Sequence, residues 1–112
     1  MSDQGLIGQL IDMVLASYPE ESVERVQEHL LNVMERGTYF LEIEGPRVVG
    51  YLEYLMVPGT MRSIHVTEVF AAHPGVLWML KRRLYALAWQ QIMFRRHKTN
   101  RWRYHMRRSV HV

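Results

Sequence analysis

Apolar residues recur at three- and four-residue spacing in three stretches of the chain, a pattern typical of helices with one buried face. The first stretch covers residues 3–17, the second runs from Ser22 to Gly37, and the third runs from Val76 to about Phe94. Gly37 is predicted to end the second helix, because glycine readily adopts the left-handed backbone found after many helices. The pattern therefore predicts three helices.

Apolar and polar residues alternate in the remaining stretches, and such alternation indicates strands. Residues 38–44 and 48–57 flank a tight turn at Gly45-Pro46, which predicts a β-hairpin. Two further strands are predicted over residues 63–71 and 101–107. We expect an α/β (α+β) fold with a short, mostly antiparallel sheet, three helices and the element order ααβββαβ.

The composition fits a single folded domain over residues 1–112, with 48% hydrophobic and 22% charged residues. No apolar run approaches the roughly 18 residues of a membrane span, and the N-terminus lacks the pattern of a signal peptide. We therefore expect a cytoplasmic protein without membrane contact. The chain contains no cysteine, which excludes disulfides, thiol nucleophiles and cysteine-ligated zinc.

Charge is divided unevenly along the chain. Residues 1–60 contain ten acids and three bases, for a net charge of 3 − 10 = −7, whereas residues 61–112 contain one acid and eleven bases, for 11 − 1 = +10. Seven of these bases form a C-terminal basic patch: Arg95, Arg96, Lys98, Arg101, Arg103, Arg107 and Arg108. Such a patch suits nucleic acid, cofactor phosphates or an acidic protein surface, including residues 1–60 of another copy, and a merely solvated face is an equal alternative.

Two segments together resemble a known family. The hairpin FLEIEGPRVVGYLEYLMV and the strand, turn and helix of EVFAAHPGVLWMLKRRLYALAWQQ follow the order found in acyl-CoA N-acyltransferases of the GNAT superfamily. The resemblance covers residues 3–107. Small phage-encoded members of this superfamily have similarly short chains, so the resemblance also implies a phage source. It also implies an acetyl-CoA donor, with Glu68 as general base and a cofactor-binding backbone at Val69, Phe70, Ala71 and Gly75.

The chain departs from this family at the cofactor loop. A longer glycine-rich loop usually holds the pyrophosphate, whereas here Gly75 is followed by Val76, Leu77, Trp78 and Met79, which we expect to fill the phosphate region. A first strand and a helix with a catalytic tyrosine are also missing. We therefore expect no cofactor and a non-catalytic binding or assembly role, such as a phage structural or virion-associated component. The alternatives are an acetyl-CoA-dependent N-acyltransferase and a nucleic-acid-binding module using Arg95–Arg108.

Several side chains have more than one interpretation. Trp78, Tyr85 and Trp89 of helix three either pack into the core of the domain or form an interface for a protein partner or self-assembly. Glu68 is either a general base or a surface or ion-paired glutamate near Arg82 or Arg83. The six histidines lack metal-ligand spacing, so we expect no metal. His65 and His105 could approach each other across paired strands, but exposed or hydrogen-bonded histidines are the favoured interpretation. Aromatic residues of the last strand, Trp102 and Tyr104, are expected in the core.

Overall fold

The computed structural model describes residues 3–59, 62–87, 89–96 and 101–106, with side chains described for residues 5–59, 62–87 and 89–94. The helices are α1 (Asp3–Ser17), α2 (Val23–Arg36) and α3 (Pro74–Tyr85). The strands are β1 (Tyr39–Glu44), β2 (Arg47–Val57), β3 (Ser63–Ala71), β4 (Gln91–Arg96) and β5 (Arg101–Met106). They form one sheet in the order β1-β2-β3-β4-β5, in which β3 and β4 run parallel and the other neighbours run antiparallel.

The helices cover both faces of this sheet. Leu10 of α1 and Leu30 of α2 pack with Tyr51, whereas Leu80 of α3 packs with Leu52. Because successive residues of a strand point to opposite faces, Tyr51 and Leu52 of β2 mark the two sides of the sheet. We call these sides the α1–α2 face and the α3 face.

Local sequence sets the ends of α2. The hydroxyl of Ser22 accepts a hydrogen bond from the backbone N–H of Arg25 at 3.2 Å, which satisfies one of the unpaired donors at the start of the helix. At the other end, Gly37 has a φ of 73° and donates its N–H to the carbonyls of Val33 and Met34. This left-handed conformation favours glycine, so the predicted stop is confirmed.

A register shift between β2 and β3 decides which side chains meet on the α1–α2 face. Glu53 pairs with Glu68, and the next pair joins Tyr54 to Val66, so Thr67 is an extra residue in β3. A β-bulge of this kind bends the strand and redirects the side chains beside it. Thr67 and Glu68 consequently both reach the α1–α2 face.

The third helix is shorter than the sequence pattern predicts. It ends at Tyr85 rather than near Phe94, and β4 follows it, so the element order is ααβββαββ and the predicted order was wrong at this point. Ile92 is fully buried and pairs with Ile64 of the neighbouring parallel strand. Short apolar runs fit either a helix or a strand, and burial beside β3 selects the strand. The predicted α+β class with a mostly antiparallel sheet is confirmed.

Within the described residues, no helix combines the length and the apolar character that crossing a membrane requires.

Gly50 is a site where packing forbids a side chain. A methyl group added there would overlap the Val76 side chain and lie 3.1 Å from Leu80, both of which are buried against β2. We expect Gly50→Ala to lower the free energy of unfolding by about 1–3 kcal/mol, the usual cost of overpacking a core. Gly8→Ala in α1 is the matched control, because nothing lies within 4 Å of the added methyl.

Urea unfolding followed by circular dichroism measures both variants. Gly8→Ala should raise stability by about 0.5–1 kcal/mol, since alanine is the better helix former. A Gly50→Ala protein as stable as the wild type would contradict the packing of α3 on β2.

Candidate active site

A cavity of about 380 Å³ opens on the α1–α2 face. It lies between the connection of the first two helices and strands β2 and β3. Its lining residues are Val14, Tyr18, Glu21, Val26, His29, Glu53 and Glu68. Glu53 and Glu68 are directly opposite each other in the β2–β3 pair. Residues in such positions have Cβ atoms about 4.5–5.5 Å apart, so two carboxylates share one wall of the cavity.

Glu53 is the more deeply buried carboxylate, with 3% of the residue exposed. Its Oε1 atom accepts hydrogen bonds from the Tyr51 hydroxyl at 2.7 Å and from His29 Nε2 at 2.8 Å. Its Oε2 atom accepts one from Thr67 Oγ1 at 2.6 Å. Burial of a carboxylate is costly without such donors, and both oxygens of Glu53 have them. The carboxylate therefore fixes the orientation of His29, whose side chain is 53% exposed.

Tyr51 donates one of these hydrogen bonds to the Glu53 carboxylate. Burial raises the pKa of the Tyr51 phenol far above its ordinary value, and the negative charge of Glu53 and the hydrogen bond to it raise the pKa further. Tyr51 is itself fully buried. The phenol consequently remains a neutral donor toward Glu53 throughout the physiological pH range.

Glu68 is less buried and faces the cavity. The hydroxyl of Tyr18 donates to Glu68 Oε1 at 3.1 Å and lies 3.4 Å from Oε2. Tyr18 belongs to the connection between α1 and α2, where its own N–H bonds to the carbonyl of Val14 at 2.9 Å. No lysine or arginine belongs to the described lining of the cavity. A pocket with this charge suits a cation such as an ammonium group.

The predicted alternative pairing of Glu68 with Arg82 or Arg83 was wrong. Glu68 points to the α1–α2 face, whereas both arginines belong to α3 on the opposite face. Arg83 instead lies 3.0 Å from Glu42 Oε1 and donates to the carbonyl of Leu41 at 3.1 Å. The bulge at Thr67 explains the difference, because it turns Glu68 away from α3.

Strands β3 and β4 separate beside this cavity. Their pairing runs from Ser63 and Gln91 to Val66 and Phe94, whereas β3 continues to Ala71. Glu68 therefore lies two residues beyond Val66, the last residue of β3 that pairs with β4. The segment 69–71, predicted to hold a cofactor, lies along the same stretch and lines a second cavity of about 500 Å³ with α1. A strand edge beyond its pairing can hydrogen-bond an extended ligand through its backbone.

Residues 76–79 at the start of α3, which were predicted to fill the phosphate region of a cofactor, do not all point outward. Val76 is 1% exposed and points into the core, so the expectation that it fills the phosphate region was wrong. Trp78 and Met79 do point outward, with 63% and 48% exposed. The first helical residue, Pro74, has no N–H, and Gly75 follows it at the surface. The start of α3 thus exposes Trp78 and Met79 to solvent, whereas Val76 belongs to the core.

Other predicted site residues lie away from this cavity. Tyr85 and Trp89 are half-buried beside the α3 core, with ring centroids 5.6 Å apart, and Trp89 donates to the Tyr85 carbonyl at 3.2 Å. His65 and His105 do not face each other, because β4 separates their strands and pairs His65 with Met93. The alternative in which they approach each other is therefore excluded, and it arose because β4 was missed.

The basic patch is described only in part. Arg95 and Arg96 lie on β4, and Arg101 and Arg103 lie on β5, with Arg96 opposite Arg101 and Phe94 opposite Arg103. Lys98, Arg107 and Arg108 lie outside the described residues. The role of the patch stays a prediction. In the described part of the chain, no group of three or more histidine, aspartate or glutamate residues is arranged to hold a metal.

Two solved acetyltransferase structures share this fold. The chain aligns with the aminoglycoside 6'-N-acetyltransferase from Enterococcus faecium at a TM-score of 0.56 and 17% identity, covering 81% of this chain and 54% of that one. It aligns with a probable acetyltransferase at a TM-score of 0.57 and 12% identity, covering 80% of this chain and 69% of that one. The protein therefore has a GNAT-like fold, and it spans about half the length of the first neighbour. No protein-family model and no curated protein sequence matches the chain.

Most residues of the site were missed by sequence reasoning. Tyr18, His29, Tyr51 and Thr67 come from the α1–α2 connection, α2, β2 and β3, so spacing along the chain does not connect them. Glu53 did carry a signal, because it is the one charged residue in the otherwise apolar strand VVGYLEYLMV. Buried charges need partners, and that requirement alone would have pointed to a polar cluster.

Removing the charge of Glu53 should destabilise the fold. Glu53→Gln leaves an N–H₂ group where one oxygen accepts a hydrogen bond, so we expect the free energy of unfolding to fall by about 2 kcal/mol. Glu20→Gln, at an exposed position between α1 and α2, should change it by less than about 0.5 kcal/mol. Urea unfolding at neutral pH measures both, and equal effects would refute the role of the cluster.

The raised pKa of Tyr51 predicts a loss of stability in alkali. An unfolded tyrosine ionises near pH 10 while the folded phenol stays protonated, so the contribution is complete below about pH 10 and declines above it. Between about pH 10 and pH 11, wild-type stability should fall by about 1 kcal/mol more than that of Tyr51→Phe, and the difference in slope should approach about 1.4 kcal/mol per pH unit above pH 11. Parallel urea titrations measure the difference, and identical slopes would contradict this assignment.

Proposed function

We propose that the protein is an N-acyltransferase that transfers an acyl group from acyl-CoA to a cationic amine bound in the cavity on the α1–α2 face. The observation that carries this proposal is the position of Glu68, which faces the cavity beside Glu53 and lies two residues beyond the last residue of β3 that pairs with β4. The acetyltransferase folds of the structural neighbours support it.

The pocket favours the acceptor through charge. An ammonium group entering the cavity meets the carboxylates of Glu53 and Glu68, and Glu21 also lies on the lining. Attraction between these opposite charges is strengthened by partial burial. Glu53 is 3% exposed whereas Glu68 is half-buried, so Glu68 is the carboxylate that an amine in the cavity reaches more readily.

Glu68 acts as the general base in this proposal. It removes a proton from the ammonium group, so that the nitrogen lone pair becomes available, while the Tyr18 hydroxyl keeps the carboxylate oriented. Bound acyl-CoA would supply a thioester whose C–S bond breaks as the new C–N bond forms, and the second proton lost by the nitrogen would pass to the departing thiolate, so that CoA leaves as a thiol. The backbone of Val69, Phe70 and Ala71 would hold the pantetheine arm along β3, and Gly75 would lie toward its phosphates.

The non-catalytic role predicted from the sequence relied on a blocked phosphate region. The burial of Val76 removes one part of that reasoning, although a single glycine still replaces the glycine-rich loop. Calorimetry with acetyl-CoA separates the two interpretations. Saturable binding at micromolar concentration supports the enzyme, and no binding below about millimolar concentration supports the non-catalytic role.

Glu68→Gln should abolish acyl transfer without unfolding the protein. Release of CoA from acetyl-CoA is followed with a thiol reagent in the presence of a panel of small primary amines and polyamines. The absence of cysteine in the chain means that the reagent detects only the product. We expect kcat to fall at least about 100-fold, the usual contribution of a general base.

The exposed α2 variant Glu35→Gln should keep wild-type kcat, and circular dichroism should show all three proteins folded. Wild-type protein that releases no CoA with any amine would refute the proposed activity. Release that Glu68→Gln leaves unchanged would refute Glu68 as the base.

A further inference from the structure

A row of glutamates on α2 and the charged side chains of α3 have opposite signs and point away from each other, although α2 also carries Arg25 and Arg36. The two helices pack on opposite faces of the sheet, as the contacts of Leu30 with Tyr51 and of Leu80 with Leu52 show. Their solvent-facing sides therefore lie on opposite sides of the molecule. Both sides also expose large apolar residues, which in a small domain often mark an interface.

The α3 side combines an aromatic centre with positive charge. Trp78 is 63% exposed and Met79 is 48% exposed. The Arg82 guanidinium lies 5.5 Å from the centroid of the Trp78 ring, and Lys81 is one residue away in sequence. No acidic residue occurs between Pro74 and Tyr85. We define the basic face as Trp78, Met79, Lys81 and Arg82. Tryptophan and arginine are the residues most enriched at interface hot spots.

The solvent-facing side of α2 combines exposed apolar residues with negative charge. Glu24, Glu28 and Leu31 follow at spacings of four and three residues, which places them on one side of the helix. Leu31 is 47% exposed, and Val23 beside this row is 48% exposed. We define the acidic face as Val23, Glu24, Glu28 and Leu31. It offers apolar area of similar exposure to the basic face, with charge of the opposite sign.

We propose that the basic face of one copy binds the acidic face of a second copy. Trp78 would be buried against the apolar residues of the acidic face, and Arg82 and Lys81 would lie near Glu24 and Glu28. The charges orient the encounter, whereas burial of the tryptophan supplies most of the affinity. The charges of −7 and +10 on the two halves of the sequence favour the same arrangement.

This arrangement is head-to-tail, because it joins two different surfaces of the same chain. A pair leaves one acidic face unoccupied on one copy and one basic face unoccupied on the other. Since the two faces point in opposite directions, further copies add at both ends, and the assembly grows as an open chain. A two-fold dimer would instead use the same surface on both copies and would stop at two.

Single-face variants test this arrangement. Trp78→Ala/Arg82→Gln removes the basic face, and Glu28→Gln/Leu31→Ser removes the acidic face. All four positions are exposed, so both variants should remain folded by circular dichroism. In sedimentation velocity, the average size of the wild-type assembly should increase with protein concentration at low salt. The assembly should dissociate as salt rises to about 0.5 M, because screening weakens the charge pairs.

Each variant alone should be monomeric, with association at least about 30-fold weaker than that of the wild type. An equimolar mixture should form a one-to-one dimer and nothing larger, because one intact face of each kind remains. Wild-type protein that stays monomeric at millimolar concentration and low salt would overturn the proposal. A mixture that does not associate, or a variant that dimerises alone, would also overturn it.

Discussion

Burial of the Glu53 carboxylate is the constraint around which the site is arranged. A charged group with 3% exposure is stable only where hydrogen-bond donors replace water. Its donors are His29 of α2, Tyr51 of the same strand and Thr67 of the β3 bulge. One carboxylate thus joins a helix and two strands. The polar network also leaves little freedom in how α2 lies on the sheet, because each donor has to reach a fixed oxygen.

The bulge at Thr67 places a donor to Glu53 and the proposed base Glu68 on the same face of the sheet. Without the extra residue, strict alternation would place Thr67 and Glu68 on opposite faces of the sheet. With it, Thr67 satisfies Glu53 while Glu68 stays on the same face and contacts Tyr18. One inserted residue therefore supplies both a partner for the buried carboxylate and a second carboxylate at the cavity.

Local sequence patterns predicted the helices and strands correctly where a pattern fits only one type of secondary structure. Helical spacing and the glycine at position 37 defined α2, and the turn at Gly45-Pro46 defined the hairpin. The pattern failed after Tyr85, because the apolar run around Ile92 fits two periodicities and only contact with β3 decides between them. Glu68 was identified through a family resemblance. Its neighbours were missed because they meet through tertiary packing, which leaves no fixed spacing in the sequence.

The parallel pairing of β3 with β4 has a consequence for how the chain folds. Strands β1, β2 and β3 are joined by short connections and pair with their sequence neighbours, so their contacts are local and form early. Strand β4 reaches β3 only after the intervening helix α3 has crossed the sheet. Because closing this longer loop precedes any gain from its contacts, β4 joins the sheet late. Until then the edge of β3 lies exposed, and the nascent chain is most vulnerable to strand-mediated aggregation at that stage of folding.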